Sequence, residues 1–122
     1  MKFKLLLALT MISFNSLAAI SATNSLNDES GQLINRVVVA EGGWATVKFT
    51  VPLVPSNGST ASCVASWNKD SLSFSTKTPD GGAILSLLLA AQVSGKKVYA
   101  QGTGNCNVTS NAESWNFGWI VN

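Results

Sequence analysis

No histidine occurs anywhere in the 122 residues. That removes the commonest general base at neutral pH, the usual activator of a serine or cysteine nucleophile, and the usual zinc ligand. Charge is scarce too: eight Lys and Arg stand against six Asp and Glu, for a net charge of +2. No basic stripe of the kind that neutralises phosphates is present, so no nucleic-acid partner is expected. The carboxylates are Asp28, Glu29, Glu41, Asp70, Asp80 and Glu113. Asp28 and Glu29 fall in a polar arm, Asp70 and Asp80 in turn patterns, and no spacing selects a pair held as in a glycosidase. Gly102-Thr103-Gly104 lacks the helix that a phosphate-binding loop must lead into. These absences point away from an enzyme, and no cofactor or metal is expected.

What is present begins with a tripartite N-terminus. Lys2 and Lys4 precede the apolar run Leu5-Leu6-Leu7-Ala8-Leu9-Thr10-Met11-Ile12-Ser13-Phe14, and Ser16-Leu17-Ala18 places small residues at a cleavage position. This is the pattern of a secretory signal peptide over residues 1–18, cut after Ala18 or Ala19, with Ala22 a later option. The run falls short of the ~20 residues that span a bilayer, and no second apolar stretch approaches that length. The expectation is a secreted or periplasmic chain with no membrane insertion after cleavage. It would be near neutral, since two lysines leave with the signal.

About one hundred residues then remain, a single small domain. Export makes a covalent staple available, and Cys63 and Cys106 are the only two cysteines. Two cysteines in a secreted chain allow one intramolecular pairing. A disulfide closing a loop of about 40 residues is worth roughly 4 kcal/mol in the chain-entropy model.

Residues 19–31 read as a loose, polar N-terminal arm, and residues 32–122 as the folded domain. Ile34, Val37, Val38 and Val39 mark a β-branched strand ending near Ala40. Glu41-Gly42-Gly43 is a hairpin turn, because paired glycines accept positive backbone angles. The return strand is the alternating Trp44-Ala45-Thr46-Val47-Lys48-Phe49-Thr50-Val51, ended by Pro52, Pro55 and the polar 56–59 loop. A third strand is expected over Ala61, Cys63, Val64, Ala65 and Trp67, and a short fourth over Leu72-Ser73-Phe74-Ser75.

At Thr78-Pro79-Asp80 the period changes to that of a helix. Thr78 or Asp80 can accept from exposed first-turn amides, proline suits that turn, and Gly95 suits the C-terminal cap. Lys96-Lys97 complements the negative end of the dipole. The helix, at about 80–94, lacks the polar face of an amphipathic surface helix. Ile84, Leu85, Leu88 and Leu89 therefore serve either as core or as an oligomer face. Packing against a second copy is favoured over burial in one monomer, since so small a domain has few places to sink a helix.

Val98-Tyr99-Ala100-Gln101 is the next strand. The tail Ser114-Trp115-Asn116-Phe117-Gly118-Trp119-Ile120-Val121-Asn122 is the last. With a period of two, Trp115, Phe117, Trp119 and Val121 share one face, which is expected to pack as a lid over the apolar helix. The architecture is thus mainly β with one central helix, in the order β-β-β-β-α-β-β.

With catalysis disfavoured, surface recognition is the remaining chemistry. Trp44 and Trp67, placed at strand ends, are the candidate ligand-binding residues, because sugars and apolar side chains stack on such rings. Asn57-Gly58-Ser59 and Asn107-Val108-Thr109 match the glycosylation acceptor pattern, which matters only in a host with that machinery.

The stretch from Thr78-Pro79-Asp80-Gly81-Gly82 through Gly95-Lys96-Lys97-Val98 to Gly104-Asn105-Cys106 resembles small exported bacterial proteins. Those share a leucine- and alanine-rich helix, a Gly-Lys-x-Val step and a following cysteine. The order of elements is also similar to that of the B subunits of bacterial AB toxins, where an OB-type barrel carries its long helix between the fourth and fifth strands. Five copies there surround the helices as a ring. The resemblance implies an OB-like small barrel with the Cys63–Cys106 disulfide, a homo-oligomer (a pentamer if toxin-like), and a glycan or protein ligand. No sugar-binding residue transfers. The helix also departs from the toxin pattern, since Ser86, Gln92 and Ser94 are its only polar residues within 83–94. Function is therefore expected to be that of a secreted binding module, with a structural or inhibitory envelope protein as the alternative.

Overall fold

The computed structural model describes residues 25–122. The expected signal peptide and the first part of the expected arm lie outside the described residues.

The described residues form one seven-stranded sheet and one long helix. The strands are β1 (Ser25–Leu26), β2 (Ile34–Ala40), β3 (Trp44–Phe49), β4 (Val54–Pro55), β5 (Ser71–Ser75), β6 (Val98–Gly102) and β7 (Glu113–Ile120), with α1 (Pro79–Ser94) between β5 and β6. Their order across the sheet is β2-β3-β5-β7-β6-β1-β4. Every pair is antiparallel except β5–β7. The sheet does not close through these ladders.

Alternation along β3 decides which face is the core. Ala45, Val47 and Phe49 are buried, as are Leu72 and Phe74 of β5 and Val98 and Ala100 of β6. Against them sit Leu88 and Ala91 of α1, with Ile84, Leu85 and Leu87 partly buried beside them. Three of the four expected helix-face residues thus turn inward; Leu89 turns out, next to the more exposed Val93.

The helix ends obey local chemistry. Thr78 is the N-cap, its Oγ1 accepting from the Gly81 amide at 3.2 Å, and Pro79 opens the first turn. At the other end Gly95 adopts φ 65°, a left-handed conformation that costs glycine no Cβ clash. Lys96 N then donates to Ala91 O at 2.9 Å, satisfying a carbonyl of the last turn.

Cys63 and Cys106 are joined, their Cα atoms 6.2 Å apart and 43 positions apart in sequence. The bridge ties the 56–65 segment to the 103–112 loop.

Three expectations need correction. The third strand proposed over Ala61–Trp67 does not form: the segment is irregular and ends in a single 3-10 turn, Ser66–Asn68. Its backbone is held from outside the ladder instead, by Ala65 N donating to Asn111 O and by the disulfide. Two short strands, β1 and β4, take the remaining sheet positions at the opposite edge.

Secondly, the expected arm is anchored from Ser25 onward. Asn27 is buried, and its side chain pairs with β6 like a strand residue: Nδ2 donates to Val98 O and Oδ1 accepts from Ala100 N, each at 2.8 Å. Ser25 N donates to Oε1 of the buried Glu113 at 2.9 Å, and Gly104 N donates to the same oxygen.

Thirdly, the tail does not lay its aromatic residues on one face. Gln101 pairs with Phe117, but Gly102 pairs with Trp115, so Asn116 is the extra residue of a β-bulge. A bulge shifts the period by one. Trp115 therefore joins Ile120 on the core side, whereas Phe117 and Trp119 project outward, 44% and 47% exposed. There they meet Tyr99, whose ring stacks on Trp119 with centroids 4.2 Å apart.

Candidate functional site

The outward side of the β2–β3 hairpin carries the residues left over by the core alternation. Trp44, Thr46 and Lys48 share this side, opposite Ala40, Val38 and Arg36 in the antiparallel register. Onto it folds the 3-10 turn, which presents Trp67 at 69% exposure. The result is a groove of about 260 Å3 lined by Arg36, Val38, Trp44, Thr46, Lys48, Trp67, Asn68 and Asn111. Both tryptophans singled out in the sequence line this one groove, although 23 positions separate them.

Lys48 holds the groove together. Its Nζ donates to Trp67 O at 3.0 Å, Asn68 Oδ1 at 3.4 Å, Asp70 Oδ1 at 3.0 Å and Ser71 Oγ at 2.8 Å. Asn68 Nδ2 donates in turn to Asn111 O at 3.1 Å, fastening the turn to the loop before β7. An exposed tryptophan on a short turn would otherwise wander. Here its own carbonyl is tethered by the charge beneath it.

Electrostatically the groove is cationic on one flank. Lys48 pairs with Asp70, and this is the ion pair found among the described residues. Partial burial pushes the Asp70 carboxyl up, but the Ser71 hydroxyl and the Lys48 ammonium outweigh it and hold the acid below its ordinary range. Arg36 stands directly across from Lys48 and has no carboxylate partner among the described residues. Like charges opposite one another are unfavourable, and Asp70 relieves the conflict by neutralising Lys48.

Among the described residues, no group of three or more His, Cys, Asp or Glu side chains is placed to hold a metal ion. The groove offers stacking surface, amide groups and a guanidinium, which is chemistry for binding.

Part of this site was legible and part was not. Arg36, Thr46 and Lys48 could have been found by extending the β3 alternation outward from the buried Ala45 and Val47. Asn68 and Asn111 carried no such signal, because the long-range bond between them exists only once the disulfide-tied loops are folded.

Comparison of the chain with protein-family models, with curated proteins and with solved structures returns no match.

Proposed function

We propose that the chain is a secreted or periplasmic, non-enzymatic binding module that recognises a glycan or protein surface through the Trp44–Trp67 groove. The observation that carries this reading is the convergence of those two rings, from separate segments, on one groove with an uncompensated Arg36. Indole faces stack on sugar rings and apolar side chains, while Asn68, Asn111 and Arg36 supply directional hydrogen bonds.

An OB-like architecture resembling toxin B subunits is supported by the strand order β2-β3-β5-β7-β6, with its parallel β5–β7 pair and α1 between β5 and β6. The isolated bridge between Gln32 and Val98, with bonds of 3.0 and 2.9 Å, adds to it by linking the entry to β2 with β6. Association of copies, as a pentamer if the toxin likeness holds, is supported by the apolar Leu89 and Val93 on the open side of α1. The disulfide suits an oxidising compartment, and no helix among the described residues is long and apolar enough to cross a membrane.

A second reading is a structural or inhibitory envelope protein acting through protein contacts. The exposed Phe117 and Trp119, backed by the buried Tyr99, favour it, since clustered apolar surface marks interaction sites.

The test is a glycan array probed with the wild-type protein and with Trp44→Ala. Selective binding that disappears in the folded variant supports the groove. Binding to no glycan, together with capture of a protein partner that Trp44→Ala leaves intact, contradicts it.

A further inference from the structure

A larger hollow lies away from the groove, between the two loops that the disulfide joins. It has a volume of about 660 Å3, and its walls are residues 59–63 on one side and residues 104–107 with Ser110 on the other. Its chemistry differs from that of the groove. No lining residue is ionisable apart from the two cysteines, which are oxidised, and none is aromatic. What faces the hollow is hydroxyl and carboxamide: Thr60, Ser62, Ser110, Asn105 and Asn107.

These groups are available. Among the described residues, none of those five side chains donates or accepts a hydrogen bond within the protein, and the backbones of Asn105 and Asn107 are held in place. Asn107 N donates to Ser114 Oγ at 2.9 Å, and Asn105 N to Thr103 Oγ1 at 3.2 Å. Ser114 N donates to Asn105 O at 2.8 Å, anchoring the same wall to β7. Across the hollow, Val64 N closes a turn on Ala61 O at 3.0 Å, and the Cys63–Cys106 bridge sets the distance between the walls. A backbone held at Asn105 and Asn107 and tied across by the disulfide, presenting unspent donors and acceptors, is a partly preorganised polar surface.

We propose that this bowl is a second recognition site, and that its ligand is a neutral saccharide. Hydroxyl and amide groups both donate and accept, which matches the dual character of sugar hydroxyls. The absence of charge along the lining gives an ionised ligand nothing to offset its desolvation. The volume falls within the roughly 300–1,000 Å3 range of small-molecule sites. The site is independent of the groove: it shares no lining residue with it, and either can fail while the other stands.

The experiment is an amide-resolved NMR titration of the disulfide-bonded protein with glucose, galactose, mannose, N-acetylglucosamine and lactose. Sialyllactose serves as an anionic comparator. At least one neutral sugar is expected to shift the amides of residues 59–63 and 104–107 saturably, and more strongly than sialyllactose does. Ser62→Trp, which fills the bowl from an exposed position, is expected to weaken that binding about tenfold or more, and Trp67→Ala to leave it unchanged. Asn107→Ala is the second variant, with the same expected direction should Ser62→Trp misfold. The proposal is overturned if none of the five sugars gives saturable shifts there. It is equally overturned if the shifts cluster at Trp44 and Trp67, or if they persist undiminished in the folded bowl variants.

Discussion

The indole of Trp115 lies across Gly118: a Cβ built on that glycine would stand 2.7 Å from Trp115 Cζ2 and 2.5 Å from the carbonyl oxygen of Tyr99. Trp115 reaches this position because the bulge at Asn116 turns it to the core face, and glycine two positions beyond the bulge leaves room for it. Gly118→Ala is therefore expected to destabilise the protein by about 1–3 kcal/mol through overpacking. Gly82→Ala is the control. It lies in α1 with nothing within 4 Å of an added Cβ, and should stabilise by about 0.5–1 kcal/mol through helix propensity. Urea denaturation of the two variants against wild type checks both signs.

Removing the bridge should be the costliest change. Reduction, or Cys63→Ser with Cys106→Ser, frees a loop spanning 43 positions and is expected to cost about 4 kcal/mol. Denaturation midpoints with and without reductant measure it.

Lys48→Met keeps the length of the side chain and deletes its four polar contacts. Because the Lys48–Asp70 pair is only partly buried, screening limits the loss to about 1–2 kcal/mol. The change also has a pH signature. Asp70 titrates lower in the folded chain than its ordinary 3.8, so its contribution is full above that value and disappears as pH falls through the lower folded value. Wild type should lose stability below about pH 4 more steeply than Lys48→Met, a difference read from unfolding at about pH 6 and about pH 3.

How far the residues announced this fold depends on where local chemistry ruled. The helix from Thr78 to Gly95 and the glycine turn after Ala40 rest on caps and turn conformations encoded within a few positions, and both were legible. So was the pairing of Cys63 with Cys106. The segment from Ala61 to Trp67 has strand-like composition, yet the Ala65 amide finds its partner at Asn111 in a distant loop and the Val64 amide closes a local turn, and no ladder forms. In the tail the alternation of rings is real in sequence, but one bulged residue reassigns Trp115 to the core and Phe117 and Trp119 to the surface. Gly118 marks the tail as a place for a bulge or a close approach, but neither the position of the bulge at Asn116 nor the pairing of Asn27 with β6 is written locally, because each is decided by its cross-strand partner. Trp44 and Trp67 were chosen one by one for their rings. That they line a single groove follows from β3 register and the Lys48 contacts, which only the folded chain assembles.

Trp67 is expected to be dispensable for folding. At 69% exposure its ring contributes little burial, so Trp67→Ala should stay within about 0.5 kcal/mol of wild type. Its far-UV spectrum and urea midpoint should overlay those of the parent.

That tolerance sets up the most direct measurement: ligand-array binding by Trp67→Ala and Trp119→Ala side by side, each verified as folded. For ligands other than those held in the bowl, recognition through the groove requires binding to vanish with Trp67→Ala and survive with Trp119→Ala. The opposite pattern, with Trp119→Ala silent and Trp67→Ala unaffected, would move recognition to the Tyr99–Phe117–Trp119 face and contradict the groove.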